Sequence, residues 1–419
     1  MTSDAVTAGG EQPASGERRA LAKGLIFVGA ATMVGNAAAY LLSMVAARVL
    51  TPAEFGALGA LLGLLVIVSV LGIAVQAVAA RRIATASGDL AAVEGQLMRM
   101  SVVVGAAIIV AAIVLAWPIG AIFAIPTLAV GTGMASLGFV VVGSAALGIA
   151  QGRELHVRFS WAFIANTFGR AVFGILGVLL LDTVTGVGLG ILVGCAVGAF
   201  VAYRMVVTTS GLTKIEAGLW PEFGHVAHAL IVLFTLTNID VLLARLFLPE
   251  EASGEYSVGV LLAKIAFFLP NAIIIVLFPK MTAGNSKRAV YIATGLTAIL
   301  GLTITVVSAL LGPLVIRILG GAQYSDLGSE AWLFALEGSA FALVQVLLYA
   351  RLAAQDTRAV IAVWAGLVIL VLTVSLWRHG SVSEIVTTVV AVSLLLTVVG
   401  LIMDRRQSPP IPIPVEQAE

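Results

Sequence analysis

Long apolar stretches separated by short polar turns are the main pattern of this chain. Each stretch is about as long as a helix that crosses a ~30 Å hydrocarbon core. A segment in contact with lipid must satisfy its backbone hydrogen bonds internally, and stretches of this length favour a helix over a strand. The pattern predicts twelve spans, at about residues 21–49, 55–80, 100–123, 128–150, 159–181, 184–207, 223–248, 255–279, 288–312, 331–354, 359–377 and 382–403.

The basic residues fall mainly on one side of the predicted spans. With the N-terminus inside, seventeen of the 23 Lys and Arg residues lie on the inner side, four at outer ends and two within spans. An excess of basic residues marks the cytoplasmic side of a membrane protein. We therefore expect a multi-pass protein of the cytoplasmic (inner) membrane with both termini in the cytoplasm. A missed span would scramble this alternation, so the pattern also supports the count of twelve.

A short motif at the end of the first span returns at the end of the seventh. Arg48, Pro52 and Glu54 recur as Arg245, Pro249 and Glu251, at a constant spacing of 197 residues. Two weaker anchors follow in the same order: Trp117-Pro118 is matched by Gly312-Pro313, and Ala150-Gln151-Gly152 by Ala354-Gln355-Asp356. Three ordered matches indicate that the second half of the chain repeats the first.

The repeat divides the chain into two bundles of six spans. Residues 21–207 and 223–403 are the two bundles, and 208–222 is a cytoplasmic linker. Six is an even number, so both bundles start on the same side and the repeat is parallel, as in several secondary transporters. We expect residues 1–20 to be disordered, together with the proline-rich tail 404–419. The predicted fold is an all-α membrane protein with two parallel-repeat six-helix bundles around a central lumen.

The composition indicates the class of protein but points to no particular reaction or ligand. The chain is 60% hydrophobic and 11% charged, with a mean hydropathy of +1.10, which indicates a polytopic membrane protein. The net charge of +1 gives no reason to expect a nucleic-acid partner. One cysteine, Cys195, excludes an intramolecular disulfide. No metal-ligand cluster, catalytic nucleophile or nucleotide motif is visible, so we expect no catalytic residues, no metal and no cofactor.

Charged residues within spans are the strongest site candidates, because a charge at membrane depth is costly and usually faces a cavity or a partner. Arg170 lies about 17 Å into the fifth span, near the midplane. It either binds an anion in the lumen or pairs with helix-end carbonyls or a buried acid. Asp240 in span seven and Lys264 in span eight lie at similar depths. They form either a static ion pair or one that protonation, a cation or substrate phosphate opens.

The remaining candidates have equally plain structural alternatives. Glu337 in span ten is assigned with Asp240 to ion coupling, paired with Arg317 or an outer arginine, unless it is a packed, neutral acid. The repeated Arg48 and Arg245 either form a cationic rim or anchor helix ends at the headgroups. Buried amides either bind sugar hydroxyls, cap broken helices or join helices. The candidate lumen-binding residues are Arg170, Lys264, Arg48, Arg245, Asn36, Asn166 and Asn238.

Glycines and prolines predict how two spans pack. Gly186, Gly190, Gly194 and Gly198 recur every four residues in span six, which permits a close approach of another helix. Pro270 and Pro279 in span eight would kink that helix.

The chain resembles a known transporter family. Residues 48–65, 237–281 and 318–355 are similar to the polysaccharide-export flippases of the MOP superfamily, the Wzx type. The family's landmarks are matched by Asp240, by Gly254-Glu255-Tyr256, by Pro279, and by Gly320-Gly321 with Tyr324. The resemblance implies two six-helix bundles that move lipid-linked sugars across the cytoplasmic membrane by alternating access. The related lipid II flippases usually have fourteen spans, whereas this chain supplies twelve.

The leading functional prediction is a flippase for a polyprenyl-(pyro)phosphate-linked saccharide in cell-surface polysaccharide biosynthesis. Its partners would be that substrate and membrane lipids, with proton or sodium coupling and association with a polymerase or glycosyltransferases left open. The alternative is a multidrug or organic-cation antiporter of the same superfamily, whose cargo Asp240 and Glu337 would hold. A polytopic glycosyltransferase fits poorly, because the first outer loop, residues 50–54, is short and holds one acid. We therefore expect a transporter and not an enzyme.

Overall fold

In the computed structural model, residues 15–208, 211–216, 218–268, 286–353 and 358–405 are described. They form α-helices joined by short turns, and no strand occurs in these ranges, so the predicted all-α class is confirmed. The first half contains α1 (Ser15–Val49), α2 (Pro52–Ala84), α3 (Leu90–Phe123), α4 (Thr127–Gly152), α5 (His156–Leu181) and α6 (Val184–Val206). The second contains α7 (Leu219–Leu236), α8 (Ile239–Phe247), α9 (Glu250–Phe268), α10 (Ser286–Leu319), the 3-10 helix Ala322–Glu330, α11 (Ala331–Ala353), α12 (Arg358–Leu376) and α13 (Val382–Arg405).

In the described residues, each of the twelve predicted spans overlaps a helix, and the seventh is divided into α7 and α8. Nine helices in the described ranges are long and apolar enough to cross a membrane, and two further apolar helices are shorter. Helix α9 is described as far as Phe268, so the predicted kink at Pro270 and Pro279 lies outside the described residues. Helix α1 begins at Ser15, so the last part of the N-terminal segment predicted to be disordered is helical. The predicted disordered tail lies outside the described residues beyond residue 405.

The glycines of α6 bring this helix into backbone contact with α5, as the sequence predicts. A Cβ at Gly186 would collide with the carbonyl oxygen of Gly177, and one at Gly190 with that of Phe173. A Cβ at Gly194 would likewise collide with the carbonyl oxygen of Gly169. Gly198 packs in the same way on α5, so all four glycines of the ladder contact one neighbour.

The two halves meet mainly along α2, which packs against α7, α8 and α9. We call the end of the molecule that carries the α1–α2 turn the 50–51 end, and the opposite end the linker end. At the 50–51 end, Gly56 lies against Ser253, and Gly254 lies against the carbonyl of Pro52. At the linker end, Arg82 Nε lies 2.7 Å from Glu222 Oε2. The halves are therefore in contact at both ends, with a space between.

The linker between the two halves runs across the linker end, where side-chain hydrogen bonds hold it in place. Fully buried Glu94 of α3 forms an ion pair of 2.5 Å with Arg153, and Thr208 donates to the same carboxylate at 3.0 Å. Thr213 donates to the carbonyl of Ala92 at 2.6 Å. Residues 211–216 are not helical, and α7 begins at Leu219, so the last part of the predicted linker 208–222 is already helix.

Candidate functional site

The seventh span is interrupted beside the space between the halves. Asn238 adopts φ −141° and ψ −4°, so α7 ends before it and α8 begins after it. Its side-chain amide donates to the carbonyl of Phe234 at 2.9 Å, and the Thr237 hydroxyl donates to that of Leu233 at 3.1 Å. A break inside a membrane needs such bonds, because it leaves helix-end carbonyls unsatisfied. The corresponding first span, α1, is continuous, so the interruption belongs to the second half.

A cavity of about 260 Å³ occupies this space. Helices α1, α2, α5 and α6 line it from the first half, and α7, α8, α9 and α11 line it from the second. Its wall is mostly apolar, which suits a site with a few oriented polar groups. The polar residues of the wall are Asn36, Tyr40, Ser43, Arg170, Thr237, Asn238, Asp240, Ser257, Lys264, Glu337 and Gln345.

The second half contributes a cluster of two acids and a lysine. Asp240 lies in the first turn of α8, and its Oδ2 accepts a hydrogen bond from the Tyr256 hydroxyl at 3.2 Å. Glu337 of α11 and Lys264 of α9 both interact electrostatically with Asp240. Asp240 and Glu337 are each 1% exposed. The break in the span thus brings an acid to the start of a short helix, where α9 and α11 meet it.

The cluster is only partly satisfied by the protein. Asp240 Oδ1, Glu337 Oε2 and Asn238 Oδ1 accept no hydrogen bond from a donor group of the described residues. The Asp240 and Glu337 carboxyls instead lie in hydrogen-bond contact with each other, which requires that they share a proton. Within the same ranges, no acid oxygen lies within 4.0 Å of the Lys264 ammonium. The structure therefore brings the predicted Asp240–Lys264 pair together without a direct contact, and it places Glu337 with them instead of with Arg317. Two buried carboxyls in contact can hold a proton between them, or a cation in its place.

The first half contributes a cation. Arg170 lines the cavity from α5 and is partly exposed to it. Across the described ranges of the chain, its guanidinium makes no hydrogen bond or ion pair. Asn36 lines the cavity from α1, together with Tyr40, whose buried hydroxyl has no partner in the same ranges. The cavity is thus cationic on one side and mainly acidic on the other.

Three predicted lumen residues are not in the cavity wall. Arg48 and Arg245 lie at the 50–51 end, where both side chains donate to backbone carbonyls. Asn166 points between helices, because Gly143 and Gly198 have no side chains and leave room for it. Helical spacing alone does not distinguish a face that lines a cavity from one that packs on a glycine. The prediction that Arg48, Arg245 and Asn166 line the lumen is therefore corrected, since none of them lies in the cavity wall.

Sequence reasoning also missed residues of the wall. Tyr40 follows Asn36 by four residues, so the two share a helix face, and this spacing was a usable signal. Tyr256, whose hydroxyl donates to Asp240, is marked in the sequence only by the family resemblance. Ser43 and Ser257 had no distinguishing signal, because hydroxyl residues occur throughout apolar spans.

Comparison with known proteins shows the family to which the chain belongs. The sequence profile of the family described as "Polysaccharide biosynthesis protein" matches residues 21–285, more than half of the chain. The chain belongs to the polysaccharide biosynthesis protein family. A search of curated protein sequences finds no significant match.

Solved structures share the fold of this family member along almost its whole length. The lipid II flippase MurJ, in an inward closed conformation, matches with a TM-score of 0.77 at 11% identity, over 91% of this chain and 87% of that one. An outward-facing multidrug resistance MATE family transporter of the MOP superfamily matches with a TM-score of 0.64 at 15% identity, over 91% and 95%. The eukaryotic MATE transporter AtDTX14 matches with 0.64 at 13%, over 92% and 96%.

At these identities the likeness is one of fold. It confirms the predicted superfamily resemblance and the two-bundle architecture. Together with the family match, it describes the chain as a multi-pass membrane protein of the polysaccharide biosynthesis protein family that shares the fold of MurJ and of MATE transporters of the MOP superfamily.

Proposed function

We propose that this polysaccharide biosynthesis protein is a flippase for a polyprenyl-(pyro)phosphate-linked saccharide. It moves this substrate across the cytoplasmic membrane by alternating access, with both termini in the cytoplasm. The distribution of Lys and Arg supports that orientation. A C-terminal reporter that is active only in the cytoplasm tests it.

The observation that carries the proposal is Arg170 in the cavity, whose guanidinium pairs with none of the described residues. A phosphate group needs charge-assisted donors, and guanidinium presents two parallel ones. A guanidinium without a protein partner at membrane depth is costly, so a site of this kind favours an anionic ligand. Lys264 faces the same cavity from the opposite half. Hydrogen-bond partners for the saccharide are the hydroxyls and amides of the cavity wall, including those of Asn36, Tyr40 and Asn238.

The comparisons support the same substrate class. The family description refers to polysaccharide biosynthesis, and MurJ is described as a lipid II flippase. A lipid-linked saccharide is made and consumed by membrane enzymes on the two faces of the bilayer. Glycosyltransferases that supply the substrate and a polymerase that consumes it are therefore the partners that we propose.

The first prediction concerns Arg170. The change Arg170→Ala should lower flipping of the lipid-linked saccharide in proteoliposomes by about 10- to 100-fold, the range expected for one lost charge-assisted hydrogen-bonding group. The change Arg170→Lys should retain part of the activity, because it keeps the charge and loses the fork. The measurement is the fraction of lipid-linked saccharide accessible to an enzyme added outside the vesicles.

The matched control is Arg204→Ala, which removes an exposed arginine from the last turn of α6, outside the cavity. Its flipping rate should equal that of the wild type. Unchanged flipping by Arg170→Ala would refute the phosphate role of this residue.

The substrate itself is identified in cells. Depletion of the protein, followed by profiling of polyprenyl-linked lipids with leaflet-specific labelling, should show one lipid-linked saccharide accumulating on the cytoplasmic face. An unchanged lipid profile would count against the flippase proposal.

The acids in the cavity favour one alternative, a multidrug or organic-cation antiporter. Asp240 and Glu337 could hold a cationic cargo, as could the open oxygen of Asn238. A deletion strain that became sensitive to cationic drugs while its lipid profile stayed normal would favour this alternative.

A further inference from the structure

The repeated arginines make the same unusual contact twice. Arg48, in the last turn of α1, donates from Nη2 to the carbonyl of Ile318 at 2.5 Å and from Nη1 to that of Leu319 at 3.3 Å. These carbonyls end α10, which belongs to the second half. Gln323 returns a bond from the second half to the end of α1, donating to the carbonyl of Ala47 at 2.6 Å.

Arg245 makes the corresponding contact in the opposite direction. From the last turn of α8 it donates from Nε to the carbonyl of Phe123 at 2.9 Å and from Nη2 to that of Ala124 at 2.8 Å. These carbonyls end α3, which belongs to the first half. Helices α3 and α10 are the third spans of their halves. Each half therefore caps the third span of the other.

The chemistry of the contact explains why arginine recurs. The end of a helix leaves backbone carbonyls without partners and carries a partial negative charge. A guanidinium satisfies two such carbonyls at once and stays charged, whereas a lysine offers no fixed fork. The bonds join atoms of two bodies that alternating access requires to separate. They hold only while the halves are together at the 50–51 end.

The surroundings show that the 50–51 end is closed between these contacts. Phe55 of α2 and Tyr324 of the 3-10 helix are buried, with ring centroids 6.1 Å apart. Beside them, Gly56 of α2 packs on Ser253 of α9, and Gly254 packs on Pro52. Phe55 also lines the cavity, so this layer lies between the cavity and the 50–51 end. Arg245 is buried beside this layer, where it donates to the Ser253 hydroxyl at 3.0 Å, whereas Arg48 is exposed.

We propose that Arg48 and Arg245 form crossed arginine caps that keep the 50–51 end closed, and that this end opens only when both caps are released. The caps act on the conformational equilibrium and touch no substrate. The inference therefore holds whether the cargo is a lipid-linked saccharide or an organic cation.

The test measures the separation of the halves directly. Spin labels are placed at exposed loops of this end, one in each half, through Asp182→Cys and Trp377→Cys in a Cys195→Ser background. Pulsed electron spin resonance on the full chain in lipid nanodiscs gives the distance distribution. The double variant Arg48→Ala with Arg245→Ala should increase the population with the longer distance by about tenfold or more, as expected for the loss of charge-assisted hydrogen bonds. Each single variant should give a smaller shift.

The matched control is Arg317→Ala. It removes another exposed arginine from the last turn of α10 and leaves the carbonyls that Arg48 binds. Its distance distribution should be that of the wild type. The variants Arg48→Lys and Arg245→Lys retain charge without the fork, should give intermediate shifts, and replace the alanine variants if those fail to fold. A folded double variant with the wild-type distribution would overturn the proposal, as would an equal shift in Arg317→Ala.

Discussion

Among the single residues, the central question is what Asp240 does beside a second buried acid, Glu337. Tyr256 holds one oxygen, Glu337 lies beside it, and Lys264 is near without contact. Two acids beside a cation can bind a proton or a sodium ion and change how strongly the lysine is attracted. We propose that Asp240 and Glu337 couple transport to an ion in this way.

The second prediction tests this coupling. The change Asp240→Asn keeps the shape of the side chain and removes its charge. Transport driven by an imposed proton or sodium gradient should fall by about tenfold, and the remaining transport should no longer depend on the gradient. The measurement is transport in proteoliposomes with each gradient in turn. Asp182→Asn, in an exposed turn, should leave the response unchanged. A full gradient response in Asp240→Asn would exclude this carboxylate from coupling.

At the scale of elements, the α5–α6 pair shows how the first half becomes a rigid body. The glycines of α6 let its backbone touch that of α5, so the two helices have no room for side chains between them. In a bilayer, where lipid is as apolar as leucine, such close packing is a main source of helix association. Rigid pairing here keeps Arg170 of α5 at a fixed place in the cavity.

The third prediction follows from this packing. The change Gly190→Leu should lower the free energy of unfolding by about 1–3 kcal/mol or more, because its side chain would collide with the backbone at Phe173. Gly295→Leu is the matched control, since no described atom lies within 4 Å of a Cβ there. That change should be neutral or slightly stabilising, because leucine favours helix. Thermal unfolding in detergent measures both, and equal melting temperatures would contradict the account.

For the whole molecule, the proposed alternating access requires two halves that meet at both ends to separate at one end at a time and expose the cavity. The 50–51 end is closed by the crossed arginine caps and the glycine contacts. The linker end is joined by the ion pairs of Arg82 and its neighbour Arg81 with Glu222. The Arg82 and Glu222 side chains are only partly exposed, at 32% and 16%, and an ion pair that solvent still reaches contributes little stability, so it can open repeatedly.

The fourth prediction tests movement at the linker end. In a Cys195→Ser background, joining Arg82→Cys to Glu222→Cys with a short bifunctional reagent should abolish transport, because it ties the halves together. Cleavage of the reagent should restore transport. Gln76→Cys with Gln151→Cys is the control, because these side chains are also in contact, at 3.1 Å, but within the first half. If the cross-linked Arg82–Glu222 variant still transported, alternating access through this end would be refuted.

Features that depend on neighbouring residues in the chain could be predicted well from the sequence. The twelve spans, the glycine ladder of α6 and the repeat of Arg48 as Arg245 all follow from local composition and spacing. The division of span seven was harder to foresee, since Asn238 is one of several buried amides and only its backbone shows the break. The assignment of Arg48, Arg245 and Asn166 to the lumen failed because a polar residue in a span has several possible neighbours.

The sequence alone indicates a chain of membrane-spanning helices, and it predicts twelve spans in two similar halves. These properties depend on the summed hydropathy and order of neighbouring residues, which each segment carries alone. The packing of the helices settles that Asp240, Lys264 and Glu337 meet, that Arg170 lines the same cavity without a partner among the described residues, and that each repeated arginine caps a helix of the other half. Such meetings depend on how helices are rotated and packed against one another, and that is set by contacts between residues far apart in the chain.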